Sequence, residues 1–549
     1  MRFFVDMVRW PEALAERYRK AGYWQGRPLG SFLAGHARTI GEAGALVAGG
    51  QRLTYAELDR RAGHLAAGLV DLGVGPGDRI VVQLPNVPDF FVLLFALLRI
   101  GAVPVLGLPA YRRSEALHLC GHTEAVAYVI PDTEAGSGFD YRGLADEVRE
   151  HVPAVRHVLV VGDPGPHTAL ADVERAGRDA PGLPAFATPD PQDAAVLLVS
   201  GGTTGLPKLI PRTHDDYAYN VRASAEICGF DRDTVYLAAL PVAHNFALAC
   251  PGALGALEAG GTVVLAESPD PDTAFGLIEE HRVTATAVVP PLAALWSQAV
   301  DWSPEDLGSL TLLQVGGARL SPDAARRVQA ALGCELQQVF GMAEGLLCMT
   351  RRGDDAERIA TTQGRPMSPD DEIRVVGADG TDVMPYTTGE LLTRGPYTLH
   401  GYYRAAEYNK TAFTDDGFYR TGDLVRQLPD GDIVIEGRKK DLVNRGGDKV
   451  SADELEGHLR AHPAVLDAAV VPVPDEYLGE RTCAWIVLRE GHAALGDGAL
   501  DAFLDERGLA PYKKPDVVHV LDALPLTGVG KADKRALARR ASDAVARQG

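Results

Sequence analysis

The chain reads as an α/β protein of more than one domain. Three observations carry that reading: short apolar runs recur between helical stretches, the texture turns to short strands and tight turns from Thr361 to Glu436, and a final segment has an alternation of its own. Alternating strands and helices argue for mostly parallel sheets.

In chain order, Arg79 to Leu84 is an apolar strand. Phe91 to Ala110 is the most membrane-like stretch, but Arg99, Gly101 and Pro104 near its middle make it a buried helix leading into a strand. Asp193 to Val199, Thr262 to Leu265, Thr286 to Val289, Leu310 to Val315 and Glu335 to Phe340 follow as further buried strands. Within the β-rich stretch, Ile373 to Val376 and Gly389 to Leu392 lie between Gly, Pro and Asp turns. A polar patch, Gly437-Arg-Lys-Lys-Asp441, precedes the last segment, so a boundary is placed at Lys440, with domains 1–439 and 440–549. In that segment Ala468 to Pro472 and Cys483 to Val487 are strands, and Ala536 to Gln548 is a terminal helix.

A length of 549 residues exceeds one core and implies two or three domains. The net charge of −20 argues against a nucleic-acid or anionic-membrane binder, so an anionic substrate would need a local basic pocket. Six scattered cysteines without C-x-x-C pairs fit a reducing cytosol and offer no zinc framework. The first ten residues are broken by charge too early for a signal peptide, and a cytoplasmic protein is expected.

The segment Ser200-Gly-Gly-Thr-Thr-Gly-Leu-Pro-Lys208 leaves a strand end, where open α/β sheets bind ligands. Gly201, Gly202 and Gly205 let backbone N–H groups approach an anion, Thr203 and Thr204 add donors, and Lys208 adds charge. This is not the ordinary P-loop, because Pro207 precedes the lysine and Leu209 stands where a Mg²⁺-binding hydroxyl belongs. Gln338-Val-Phe-Gly-Met-Ala-Glu344 sets a carboxylate after a glycine turn. Tyr419-Arg-Thr-Gly-Asp423 sets an acid suited to accepting from two ribose hydroxyls. Pro525-Leu-Thr-Gly-Val-Gly-Lys531 presents a lysine on a glycine loop.

With these motifs in this order, the chain resembles the adenylate-forming superfamily of acyl-CoA synthetases, luciferases and nonribosomal adenylation domains, over nearly its whole length. The resemblance implies a large N-terminal domain of two α/β subdomains plus a β-barrel-like module, and a small mobile α+β C-terminal domain. It implies that a carboxylate attacks the α-phosphate of ATP, with Mg²⁺ bound, to give an acyl-adenylate and pyrophosphate. Such chemistry needs charge neutralisation and in-line positioning more than covalent help.

By that resemblance the Ser200 loop holds the β/γ-phosphates, Glu344 binds Mg²⁺, and Asp423 and Arg438 meet the ribose. Gly316, Gly317 and Ala318 with Val339, Phe340, Gly341 and Met342 surround the adenine, and Lys531 bridges carboxylate and phosphate. Lys440 is the pivot of a rotation that withdraws Lys531 and brings Gly446, Gly447 and Lys449 to a thiol tunnel.

The run His244-Asn245-Phe246 resembles the aryl-acid subgroup, the salicylate and 2,3-dihydroxybenzoate ligases of siderophore pathways. There the Asn245 position contacts the acid's carboxylate or 2-hydroxyl, Phe246 packs the ring, and Gly316 and Leu347 complete the pocket. Cys250 stands where dihydroxybenzoate enzymes commonly carry Ser. A thiol is a weak partner for a 3-hydroxyl, and losing that hydrogen bond costs roughly 1–3 kcal/mol. With Leu347 in place of a common Val, both changes favour salicylate.

No carrier-protein signature occurs, so the thiol acceptor is a separate aryl carrier protein, or coenzyme A as in salicylate degradation. The alternatives are a 2,3-dihydroxybenzoate ligase, a salicylate–CoA ligase, and a non-ligase ATP-binding protein.

Overall fold

The computed structural model describes residues 7–134, 138–180, 186–200, 207–445, 448–475, 478–492, 495, 498–507, 509, 513–527 and 530–546. A large mixed α/β region carries three sheets, and a small β/α module with its own sheet follows it.

The first sheet runs Thr168–Ala169, His157–Val161, Ala127–Pro131, Arg79–Val82, Val103–Leu106, Ala194–Val199 and Leu209–Thr213, every pairing parallel except the last. Val103–Leu106 and Ala127–Pro131 are buried at every position, which is why they read as continuous apolar runs. The stretch from Phe91 to Ala110 resolves into the helix Pro88–Ile100 and the strand Val103–Leu106. Proline in its first turn fits the missing donor, and Gly101 ends the helix in the left-handed region. Among the described residues no helix is long and apolar enough to cross a membrane.

The second sheet has nine strands in the order Arg365–Pro366, Leu347–Met349, Glu335–Gly341, Leu312–Gly316, Ala285–Val288, Val235–Ala238, Thr262–Leu265, Gly44–Ala48 and Gln51–Thr54. Its central pairings are parallel and its edges antiparallel. The outer N-terminal pair, Gly44–Ala48 and Gln51–Thr54, had no counterpart among the strands expected from sequence. The largest hydrophobic cluster draws on both of these sheets and takes in Phe90, Leu97, Tyr217, Phe246 and Cys250.

The β-rich stretch forms a four-stranded antiparallel sheet, Glu372–Val376, Thr388–Arg394, Tyr419–Gln427 and Ile433–Arg438. Its outer strands do not pair with one another among the described residues, so no closed barrel is shown there.

After the 3₁₀ turn Lys439–Asp441, the last sheet orders Asp448–Ser451, Leu442–Arg445, Gly479–Leu488 and Val465–Asp475, with Val517–Leu521 parallel to Gly479–Leu488. Its central strands bury one face against Leu455, Leu459 and Leu504 and the other against Leu524 and Leu537. The module therefore owns a core.

Candidate functional site

The segment from Ser200 to Lys208 joins Ala194–Val199 to the antiparallel strand Leu209–Thr213. Its feet are tied twice: Ser200 N–H donates to the Lys208 carbonyl at 2.9 Å, and Lys208 N–H donates to Ser200 Oγ at 2.9 Å. Gly201, Gly202, Thr203, Thr204 and Gly205 lie outside the described residues. Lys208 rests its ammonium 4.0 Å from the centre of the Tyr408 ring, a cation–π contact.

Beside this, two parallel strands end together, with Gly316 opposite Val339. Gly317 and Ala318 are exposed just beyond the first, Gly341 is exposed at the end of the second, Val339 is buried, and Phe340 and Met342 are half-buried. The residues named for the adenine thus share one edge. Gly317 has φ +83°, and a Cβ added there would stand 3.4 Å from Lys531 Cε and 3.8 Å from its Nζ. Lys531, from the C-terminal module, therefore reaches the strand ends of the large region. Burial, then the nearby Arg438 charge, lowers its pKa to about 8, with Asp423 opposing.

Asp423 and Arg438 face one another across Tyr419–Gln427 and Ile433–Arg438, and Arg438 Nε donates to Asp423 Oδ1 at 2.8 Å. The Asp423 charge holds the guanidinium pKa above its ordinary value. Glu344 is half-buried, and Tyr402 donates to its Oε1 at 2.7 Å while lying 2.8 Å from the Tyr419 hydroxyl. Burial first and the Glu344 charge second push both phenols upward, so Tyr402 stays a donor. Sequence reasoning missed Tyr402; its position in Gly401-Tyr-Tyr403 carries no spacing signal. Among the described residues no three His, Cys, Asp or Glu side chains converge as a metal cage. A single carboxylate with one oxygen held by Tyr402 fits a Mg²⁺ ion that takes its other ligands from phosphate and water.

Residues named for the acid pocket meet the same edge, Phe246 at Gly316 and Leu347 at Gly341. His244 caps the short helix Asn245–Ala249 by accepting from Phe246 N–H at 3.3 Å through Nδ1. Burial, then the charge of Lys531, lowers its pKa to about 4, so it is neutral near neutral pH. Phe246 packs on Gly316, where an added Cβ would come within 2.9 Å of Phe246 Cζ and 2.8 Å of the Val339 carbonyl. Leu347 is buried beside Gly341. Cys250 is 1% exposed and is engaged by Asn245, whose Nδ2 donates to its Sγ at 3.3 Å. Burial drives that thiol to about 12, so it stays protonated.

Two supports escaped sequence reasoning. Tyr217 donates to Asn245 Oδ1 at 2.6 Å. Arg212, fully buried and paired with Asp216 at 2.7 Å, donates to the Ala343 carbonyl at 3.0 Å, one residue before Glu344. Both lie just after Lys208 in the chain, outside the motifs named above.

Lys440 falls in the turn Lys439–Asp441 and Lys449 in the strand Asp448–Ser451, but their side chains lie outside the described residues, as do Gly446 and Gly447. The structure thus brings Lys531, His244, Asp423, Arg438 and Gly317 together.

Comparison with known proteins covers nearly the whole chain. Residues 33–403 match the AMP-binding enzyme family, and residues 454–531 match the AMP-binding enzyme C-terminal domain. The chain is 53% identical over 534 residues to a 2,3-dihydroxybenzoate-AMP ligase of Bacillus subtilis, covering 97% of each chain. It is 50% identical over 539 residues to a salicyl-AMP ligase / salicyl-S-ArCP synthetase of Mycobacterium tuberculosis, covering 97% of this chain and 94% of that one. The apo structure of Mycobacterium smegmatis MbtA, at 50% identity, superimposes with a TM-score of 0.76 over 98% of this chain and 99% of its own. The chain belongs to the AMP-binding enzyme family, in its core and in its C-terminal domain alike.

Proposed function

We propose that this enzyme is an ATP-dependent, AMP-forming aryl-acid ligase that activates salicylate and passes it to a thiol. The observation that carries the reading is the placement of Lys531 against Gly317, within the fields of Asp423 and Arg438 and with its own charge felt by His244. An ammonium there lies between the residues assigned to the nucleotide and those assigned to the acid.

In the first half-reaction a carboxylate oxygen attacks the α-phosphorus of ATP, the new C–O–P bond forms, and pyrophosphate leaves. Lys531 neutralises charge gathering between carboxylate and phosphate. The Ser200–Lys208 segment holds the β- and γ-phosphates, Asp423 and Arg438 hold the ribose, and Gly316, Gly317, Ala318, Val339, Phe340, Gly341 and Met342 enclose the adenine. Glu344 would hold Mg²⁺, which neutralises phosphate charge when bound. His244, neutral and with Nδ1 occupied by the Phe246 N–H, keeps Nε2–H as a donor toward the acid. In the second half-reaction a thiolate attacks the acyl carbon and AMP leaves.

The proposed domains are 1–439 and 440–549, with Lys440 as pivot and Gly446, Gly447 and Lys449 beside the thiol path; the separate core of the last sheet supports independent movement. Salicylate is favoured over 2,3-dihydroxybenzoate because Cys250 offers a second hydroxyl only a weak partner, and one already bonded to Asn245. A phosphopantetheine thiol on an aryl carrier protein is the proposed acceptor. The second reading is coenzyme A as the acceptor.

The test is labelled-pyrophosphate exchange into ATP with a panel of fatty, amino and aryl acids, repeated as a thioester assay with each acceptor. Exchange with salicylate above the other acids is expected. No exchange with any aryl acid overturns the reading.

A further inference from the structure

Asn245 sits at the start of a short helix, 9% exposed, with its amide gripped from two sides. The helix His214–Cys228 supplies one grip: Tyr217, fully buried, donates to Asn245 Oδ1 at 2.6 Å, and three residues on Asn220 Nδ2 donates to the Ala249 carbonyl at 2.6 Å. The other grip is Cys250, whose Sγ accepts from Asn245 Nδ2 at 3.3 Å and whose thiol donates to the Asn245 carbonyl at 3.5 Å. The Arg212 guanidinium, 4.6 Å from the centre of the Tyr217 ring, backs the phenol.

This arrangement decides which way the amide points. If its oxygen and nitrogen were exchanged, the Tyr217 hydroxyl would have to accept from Nδ2 and its own proton would lose its acceptor in a buried site, which is costly. With Oδ1 taken by Tyr217 and one N–H by Cys250, one N–H remains. A 2-hydroxybenzoate turns its hydroxyl proton inward to its own carboxylate, so its outer oxygen accepts. A 2-aminobenzoate instead presents N–H, and its ring-delocalised nitrogen is a poor acceptor.

We propose that Tyr217 and Cys250 are positioning residues that fix the Asn245 amide with its free N–H toward the acid, so the site selects aryl acids whose ortho group accepts a hydrogen bond. The proposal rests on the aryl-acid reading above. It gives Cys250 a role exerted through Asn245, separate from any contact with a 3-hydroxyl.

The test measures kcat and KM in pyrophosphate exchange with salicylate and with 2-aminobenzoate, for the full-length wild type, Tyr217→Phe, Asn245→Ala and the double variant. Freeing the amide lets it rotate, so Tyr217→Phe is expected to lower the salicylate to 2-aminobenzoate ratio of kcat/KM about tenfold, mainly through KM. In the double variant that ratio should equal the one in Asn245→Ala alone, because the effect passes through Asn245. Equal loss for both acids, or an additive double variant, overturns the proposal. If Tyr217→Phe does not fold, Cys250→Ala serves instead, with a smaller shift in the same direction that vanishes in the Asn245→Ala background; an unchanged ratio there overturns the proposal too. A wild type inert toward every aryl acid overturns the functional reading and this inference with it, whereas an active wild type with an unmoved ratio overturns this inference alone.

Discussion

Lys531 lies so close to Gly317 that a methyl group on that glycine would stand 3.4 Å from the lysine Cε. A side chain of the C-terminal module therefore completes an edge built by the large region. Lys531→Ala is expected to cut acyl-adenylate formation at least a hundredfold, of the order seen for removal of one transition-state charge donor, about 10²–10³. Thioester formation from supplied aryl-AMP should be largely spared. Pyrophosphate exchange and single-turnover transfer measure the two halves separately, and equal loss of both would sink the assignment of Lys531 to the first half alone.

The lowered pKa of Lys531 makes a prediction about pH. With its value near 8 in the free enzyme, the ammonium is present below that pH and lost above it. The kcat/KM for adenylation should therefore fall as pH rises through about 8. Bound carboxylate and phosphate favour the charged form, so the corresponding limb in kcat should lie higher. Arginine keeps its proton, so Lys531→Arg should move the limb out of range whatever its rate. A limb that stays in place in that variant would belong to another group.

Cys250→Ser replaces a weak hydrogen-bonding group by a strong one at the position proposed to face the acid's ring. The relative use of 2,3-dihydroxybenzoate over salicylate should rise by about tenfold in an exchange assay with paired acids. An unchanged ratio would remove Cys250 from the choice of acid.

Asp216→Ala leaves the Arg212 guanidinium, 0% exposed, without its 2.7 Å partner. Breaking one side of a buried pair costs about 3–5 kcal/mol. Urea denaturation should show a loss of that size, together with weaker adenylation, because Arg212 also anchors the Ala343 carbonyl beside Glu344. A loss under about 1 kcal/mol would be that of a surface pair.

Much of this was legible in the sequence, for identifiable reasons. Strands covered on both faces must be apolar throughout, so Thr262–Leu265 appears in the structure as it reads in the chain. Glu344, Asp423 and Lys531 are reached through glycine-bearing motifs, although Asp423 stands within the strand Tyr419–Gln427, directly after Gly422 at φ +72°. The residues that hold those side chains were not legible. Tyr217 meets Asn245 across 28 positions and Tyr402 meets Glu344 across 58, and each looks like any other core tyrosine until the helices and strands are packed. Arg212 and Asp216 stand four positions apart in the chain, and only folding shows them to be buried as a pair. Closure of the four-stranded sheet depends on whether its outer strands meet, which no local pattern encodes, and among the described residues they are not paired.

Arg438 is the last residue of its strand, and the turn Lys439–Asp441 begins at once. If the module swings about Lys440, the residue holding Asp423 sits two positions from the axle. The swing would then loosen the grip on the sugar as it delivers the thiol, so the spent nucleotide would be let go by the same stroke that consumes the activated acid.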